Sequence, residues 1–321
     1  MWAFIVRRIL IMIPMMFIIS IICFVITELQ PGDFISQYLD NPRISPQMIE
    51  TLRRELGLDK PATYRYFMWI KNIITKGDFG YSFAYQRPVF DLIWERLGWT
   101  VGITLLTIIF QWLVSIPLGI IAANKAHTPV DYTISVIGLI GISIPDFFFA
   151  LVLIYIALSF GGKAIGGLFS PQYIGAPWSW AKFVDLLKHI WLPIIVVGID
   201  FGGLMRLMRG NMLDIIGSPF VTALRARGLE EKVVKRHIIK NALNPFVSIA
   251  GMQLPNVFSG TIIVSIILNL PTIGPFFYNA LLNHDQYLVL GFLMFIALIT
   301  QIGNLLADIG LALLDPRISI S

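Results

Sequence analysis

Charge is scarce in this chain. Only 13% of its 321 residues are Asp, Glu, Lys or Arg, and 56% are hydrophobic. Soluble domains carry roughly 25% charged residues, so the composition is that of a membrane protein. Cysteine is nearly absent: Cys23 is the only one, which excludes an internal disulfide. Also missing are the Gly-x-x-x-x-Gly-Lys-[Ser/Thr] loop that cradles nucleotide phosphates, the His-Glu-x-x-His pair of zinc peptidases and the Gly-x-Ser-x-Gly nucleophile turn. His127, His189, His237 and His284 are expected on four separate connections, so neither a metal site nor a catalytic residue is expected. An uphill process would need energy from another subunit or from an ion gradient. The net charge of +5 could suit nucleic acid, but no basic–aromatic module is present. The cations stand beside apolar runs, where orientation in a bilayer explains them better.

What the sequence does have is long apolar runs. A span needs about 20 mostly apolar residues, and six stretches qualify or nearly do, predicting an all-α, multi-pass protein. Arg7 and Arg8 precede a run over 9–26, read as a retained first span with its N-terminus in the cytoplasm, because a signal peptide's apolar core is shorter. Residues 31–97 form a small external helical region, with helices expected over 48–56 and 64–74. Its nine Lys and Arg against eight acids do not fix it inside, since loops beyond about 60 residues translocate regardless of charge.

Further spans are expected over 101–123, 133–160 (interrupted at Pro145-Asp146), 191–208, 245–268 and 288–311, with a short interfacial helix within 271–282 and an outer loop over 161–189. The division is then a first transmembrane helix at 1–30, the external region at 31–97, a core with five spans at 98–315 and a tail at 316–321. Between Arg206 and Lys240 stand eight Lys and Arg against three acids. This excess in a short connection is the cleanest orientation signal, placing 218–245 and both termini in the cytoplasm.

That segment, Ser218 to Pro245, reads as two short helices around a glycine. Ser218 suits an N-cap and Pro219 the first helical position. Arg225 and Arg227 complement the end of the first helix. Gly228 fits the left-handed residue that closes it. Glu231 opens the second helix, four residues before Lys235.

The segment resembles the cytoplasmic EAA loop of ABC importer permeases: Glu-Ala-Ala, three residues, Gly, nine residues, then Ile-x-Leu-Pro. Anchored on Gly228, the triplet falls on Thr222, Ala223 and Leu224, and the isoleucine on Ile238. Lys240 and Asn241 replace Leu-Pro, a departure similar to that of the dipeptide/oligopeptide (peptide/nickel) branch. That branch commonly reads Ala-Arg-Ala-Lys-Gly-Leu where this chain has Leu224-Arg225-Ala226-Arg227-Gly228-Leu229. The similarity extends to Pro31-Gly32-Asp33, Gly77-Asp78-Phe79-Gly80, Ile116-Pro117-Leu118-Gly119 and Leu314-Asp315-Pro316-Arg317-Ile318.

The resemblance, to the B-type membrane subunit, implies the type I ABC importer permease fold in a bacterial or archaeal inner membrane. It implies as partners a second permease, two ABC ATPases that bind ATP and Mg, and an external solute-binding protein, with no cofactor in this chain. It implies an importer of di- or oligopeptides, with oligosaccharide or nickel-complex cargo as the alternative; an ion-coupled carrier is the rival mechanism. The ATPase-coupling peg would comprise Ser218, Pro219, Phe220, Thr222, Ala223, Leu224, Arg225, Arg227, Gly228, Leu229 and Glu231.

Asp146 and Asp200 count to mid-membrane, where charge is costly and usually faces a cavity or a partner. Either they line the translocation path and attract a cationic group, or they hydrogen-bond broken backbone at Pro145 or a helix beside Gly198, Gly202 and Gly203. Pro117, Pro145 and Pro255 are expected to bend their helices, and Gly198 with Gly202 to serve packing within the subunit.

Overall fold

The computed structural model describes residues 2–36, 45–55, 57–160, 166–246, 249, 253 and 262–314. It is almost wholly helical. In chain order the helices are α1 (Trp2–Glu28), α2 (Pro46–Glu55), α3 (Ala62–Lys76), α4 (Val89–Asn124), α5 (Pro129–Ser143), α6 (Asp146–Ser159), α7 (Trp180–Gly198), α8 (Phe201–Ile216), α9 (Pro219–Ala226), α10 (Glu231–Ala242), α11 (Ile262–Ile267), α12 (Ile273–Leu282) and α13 (Gln286–Leu314). Two two-residue strands, β1 (Tyr81–Ser82) and β2 (Arg87–Pro88), pair antiparallel between α3 and α4.

Three helices are long and apolar enough to cross a membrane alone: α1, α4 and α13. Two more spans exist if bent pairs are counted, α5 with α6 at 100° and α7 with α8 at 56°. The described residues therefore hold up to five spans. Most of the span expected over 245–268, with Pro255, lies outside them, as do residues 37–44, 161–165 and the tail from 315.

The fourth span differs from expectation. Residues 191–208 are not one helix, and the connection before them is shorter than 161–189. The helix begins at Trp180 because Ser179 caps it, its Oγ accepting from the Lys182 N–H at 3.2 Å. This places His189 inside α7, its ring nitrogen 2.7 Å from the Asp185 carbonyl oxygen, and not on a connection. The chain then breaks at Ile199-Asp200 and restarts as α8.

The chain divides into two compact units, and α4 passes from one to the other at Thr100–Val101. The first comprises residues 1–100 and 272–305. Its α1 and α3 join through Phe24, Tyr66 and Trp69, clustered with Leu290 and Met294 of α13. Arg65 pairs with Glu28 and donates to the Gln286 Oε1 at 2.8 Å, closing α3 onto the ends of α1 and α13. The hairpin is pinned by buried Asp285, which accepts from Ser82 Oγ at 2.6 Å and the Ala84 N–H at 3.0 Å. Burial pushes the Asp285 carboxyl above its ordinary range, against the opposing pull of these donors.

The second unit comprises residues 101–271 and 306–321. Here α5 and α8 touch backbone to backbone. A Cβ built on Gly202 would lie 2.1 Å from the Gly138 carbonyl oxygen. Small residues allow such contact, and within a membrane close packing supplies much of what holds helices together. Gly202 thus serves packing within the subunit.

Candidate functional site

The segment after α8 is a peg built onto the second unit. Gly217 ends α8, Ser218 takes extended backbone (φ −82°, ψ 153°), and Pro219 opens α9. The Ser218 side chain departs from the capping role expected of it. Its Oγ donates to the Ile215 carbonyl at 2.6 Å, turning back to the preceding helix. Eight residues of α9 rise about 12 Å. Gly228 then adopts φ +73°, the left-handed turn that glycine enters at little cost, and α10 runs back.

Two features set the angle between α9 and α10. The Glu231 carboxylate accepts from Arg225 Nε at 2.7 Å, and Lys235 four residues on adds its charge to the same group. The adjacent guanidinium holds that carboxyl below its ordinary range, although the pair is exposed and contributes little stability. The stronger feature is apolar. Val221 and Leu224 of α9 join Val234, Ile238 and Ala242 of α10 in one cluster with Met208 and Met212 of α8 and Ala123 of α4. Burying a side chain of this size is worth about 1.5–3 kcal/mol, so the cluster fastens the peg to helix ends. Leu224 is thereby turned inward, while Phe220, Thr222, Ala223, Arg225, Arg227 and Leu229 remain exposed.

A clamp stands one turn from that cluster. Arg209 of α8 donates through Nε to Asp131 Oδ1 at 2.6 Å and through Nη2 to Oδ2 at 2.7 Å. The His127 backbone N–H donates to the same carboxylate at 2.9 Å. Asp131 is 1% exposed, so its carboxylate is shielded from water, and the bidentate pair ties α5 to α8. Sequence reasoning counted Arg209 only as a cytoplasmic charge. The partners are 78 residues apart, and no local spacing announces the contact.

The structure brings Asp146 and Asp200 toward each other. Each stands at a break: Pro145 cannot donate into a helix and excludes helical backbone from Ile144 (φ −86°, ψ 122°), so α6 starts at Asp146. Asp200 holds the N-cap position of α8, yet its side chain makes no capping bond. Neither carboxylate has a hydrogen-bond partner among the described residues. Their charges lie within reach of each other, and Arg206 partly offsets Asp200. Asp146 is half-buried and Asp200 exposed. A helix N-terminus behind each favours a negative charge there.

Broken apolar spans and a short helical peg anchored on helix ends are the architecture of a membrane protein with a docking element rather than a catalytic pocket among the described residues. Residues 115–320 match the binding-protein-dependent transport system inner membrane component family, and residues 1–104 match the N-terminal component of the same systems. The chain belongs to this family of transport permease subunits. It is 33% identical over 320 residues to the oligopeptide transport system permease protein AppB of Bacillus subtilis, covering 98% of this chain and 99% of that protein. It is 30% identical over 333 residues to the dipeptide transport system permease proteins DppB of Alkalihalophilus pseudofirmus (99% of each chain) and Escherichia coli K12 (98% of each).

Proposed function

We infer that this chain is the membrane permease subunit of an ATP-driven importer of di- or oligopeptides. Full-length likeness to permeases named for oligopeptides and dipeptides supports the cargo class. In this reading the chain crosses the inner membrane six times with both termini in the cytoplasm. It pairs with a second permease, receives cargo from an external solute-binding protein and engages two ATPases, which bind the ATP and Mg.

One observation carries the mechanism: the exposed face of α9 is the outer side of a body whose inner side is clamped. A partner that pulls on Phe220, Arg225 and Leu229 also moves α8 through the apolar cluster, and α5 through Arg209 and Asp131. Closure of two ATPases around ATP would then shift the broken spans together. Asp146 and Asp200 would line the path and attract the ammonium end of a peptide.

The test is purification of the tagged chain in mild detergent, with mass spectrometry of its companions and peptide-stimulated ATPase assays. A second permease and two nucleotide-binding ATPases are expected. Phe220→Ala should weaken ATPase retention without unfolding the chain, since Phe220 is exposed. Gly228→Val should uncouple ATP hydrolysis from peptide, because φ +73° is a conformation that β-branched residues avoid. A homo-oligomer with no ATPase, driven by a proton gradient, would sink the reading. Uptake of nickel complexes or oligosaccharides in place of peptides would leave the mechanism and change the cargo.

A further inference from the structure

One face of α8 is packed, with Gly202, Met205, Met208 and Met212 buried. At 3.6 residues per turn, Gly203 and Arg206 fall outside that face, and both are exposed. A Cβ on Gly203 would meet nothing within 4 Å. A face turned to lipid looks different: α4 exposes Leu105, Ile109 and Leu113. By contrast, α8 exposes an aspartate, a glycine and an arginine at 200, 203 and 206. Charge within a span is costly against hydrocarbon and faces a cavity or a partner.

Two further observations choose what meets this face. The breaks in the spans stand together. A Cβ on Gly141 of α5 would lie 2.4 Å from the Ile199 carbonyl oxygen, which brings Asp146, at the start of α6, toward the head of α8. The charges are also opposed along one helix. Arg206 follows Asp200 by six residues, about 9 Å of axis. Its side chain leans back toward Asp200, because Cβ bonds tilt toward the helix N-terminus. Its charge is felt at Asp200, yet no ion pair joins the two among the described residues. Two or three extended peptide residues reach about 7–10 Å between their ends. A guanidinium fork matches a carboxylate, and the two aspartates match an ammonium. An uncharged oligosaccharide matches neither.

We propose that Arg206 is the specificity residue for the carboxylate end of a short peptide whose ammonium end sits at Asp146 and Asp200, with Gly203 leaving room between. The proposal rests on the importer reading and on those two aspartates as path residues.

The experiment places the full chain, assembled with its companions, in vesicles with Cys23→Ser as background. A charged methanethiosulfonate on both sides of the membrane should modify Gly203→Cys and Arg206→Cys at least tenfold faster than Leu113→Cys on the exposed side of α4. Tri-alanine delivered with ATP and vanadate should slow both modifications several-fold. Uptake then reads the specificity. With the solute-binding protein at equal occupancy, wild type should import tri-alanine about tenfold faster than tri-alanine amide, the scale of one charged hydrogen bond. Arg206→Gln should import the two alike, and Arg206→Lys should keep most of the preference. Modification no faster than at Leu113→Cys, a disulfide from either new cysteine to a neighbouring polypeptide, or modification indifferent to tri-alanine overturns the proposal. So does a free-carboxylate preference untouched by Arg206→Gln. Wild-type uptake with no preference for the free carboxylate sinks this contact alone. No peptide uptake by wild type sinks the importer, and this contact with it.

Discussion

Arg209 and Asp131 meet through two parallel hydrogen bonds of 2.6 and 2.7 Å where Asp131 is 1% exposed. Removing Arg209 leaves the Asp131 carboxylate shielded and alone, at a cost of up to about 3–5 kcal/mol, whereas Arg209, a quarter exposed, can turn to water when Asp131 is removed. Arg209→Ala should lower the thermal midpoint in detergent markedly, and Asp131→Ala less. The double change to Met and Leu should recover much of the loss, because it strands no charge. It should not recover coupled transport if the clamp passes motion from α8 to α5. A double variant with full peptide-stimulated ATPase activity would show that the clamp only stabilises.

Gly202 allows a discriminating pair of substitutions. Its missing Cβ would sit 2.1 Å from the Gly138 carbonyl oxygen, whereas the neighbouring Gly203 has nothing within 4 Å. Gly202→Ala should therefore destabilise by about 1–3 kcal/mol as the helices are forced apart. Gly203→Ala should stay within about 0.5 kcal/mol of wild type. Thermal unfolding of both variants in the same detergent checks the ordering, and equal midpoints would contradict the α5–α8 contact.

Asp146 and Asp200 should matter for transport more than for stability. Neither side chain has a hydrogen-bond partner to lose among the described residues, so Asn at either position should leave the thermal midpoint nearly unchanged. Uptake of peptides with a free amino terminus should fall several-fold relative to N-acetylated peptides of the same sequence. A uniform change for both substrates would argue against an electrostatic role in the path.

Asp285 gives the first unit a pH signature. Burial raises its pKa above the unfolded value, so the folded state binds more protons than the unfolded one. Its contribution to stability is fully present below the ordinary carboxylate pKa, about 3.9, and is lost as pH rises through the folded value. Asp285→Asn should flatten that slope. Asp285→Ala should destabilise at all pH values by about 1–3 kcal/mol for each donor stranded, because Ser82 Oγ and the Ala84 N–H both lose their acceptor. Denaturation midpoints across the acidic range measure both effects.

Local chemistry was legible wherever it acts over a few residues. Pro145 announced the interruption of the third span, and Gly228 takes the left-handed backbone that its place after Arg227 suggested. The same local reading misassigned the start of α7, because Trp, Gly and Pro before residue 180 looked like a loop and Ser179 was not recognised as the cap. Helical spacing also pointed to Lys235 near Glu231 but not to Arg225, which the turn at Gly228 brings within hydrogen-bond distance.

The sequence by itself determined the membrane class, the helical elements, the peg-glycine-helix pattern and the kinship with transport permeases. These follow from apolar run length, capping residues and the spacing of a motif, all properties of neighbours along the chain. Only the tertiary structure decided that Leu224 faces inward, that Arg209 grips Asp131 and that Asp146 lies near Asp200. Those are contacts between residues tens to hundreds of positions apart. Their formation depends on the angles at which packed helices cross and break, which no local pattern of residue types encodes.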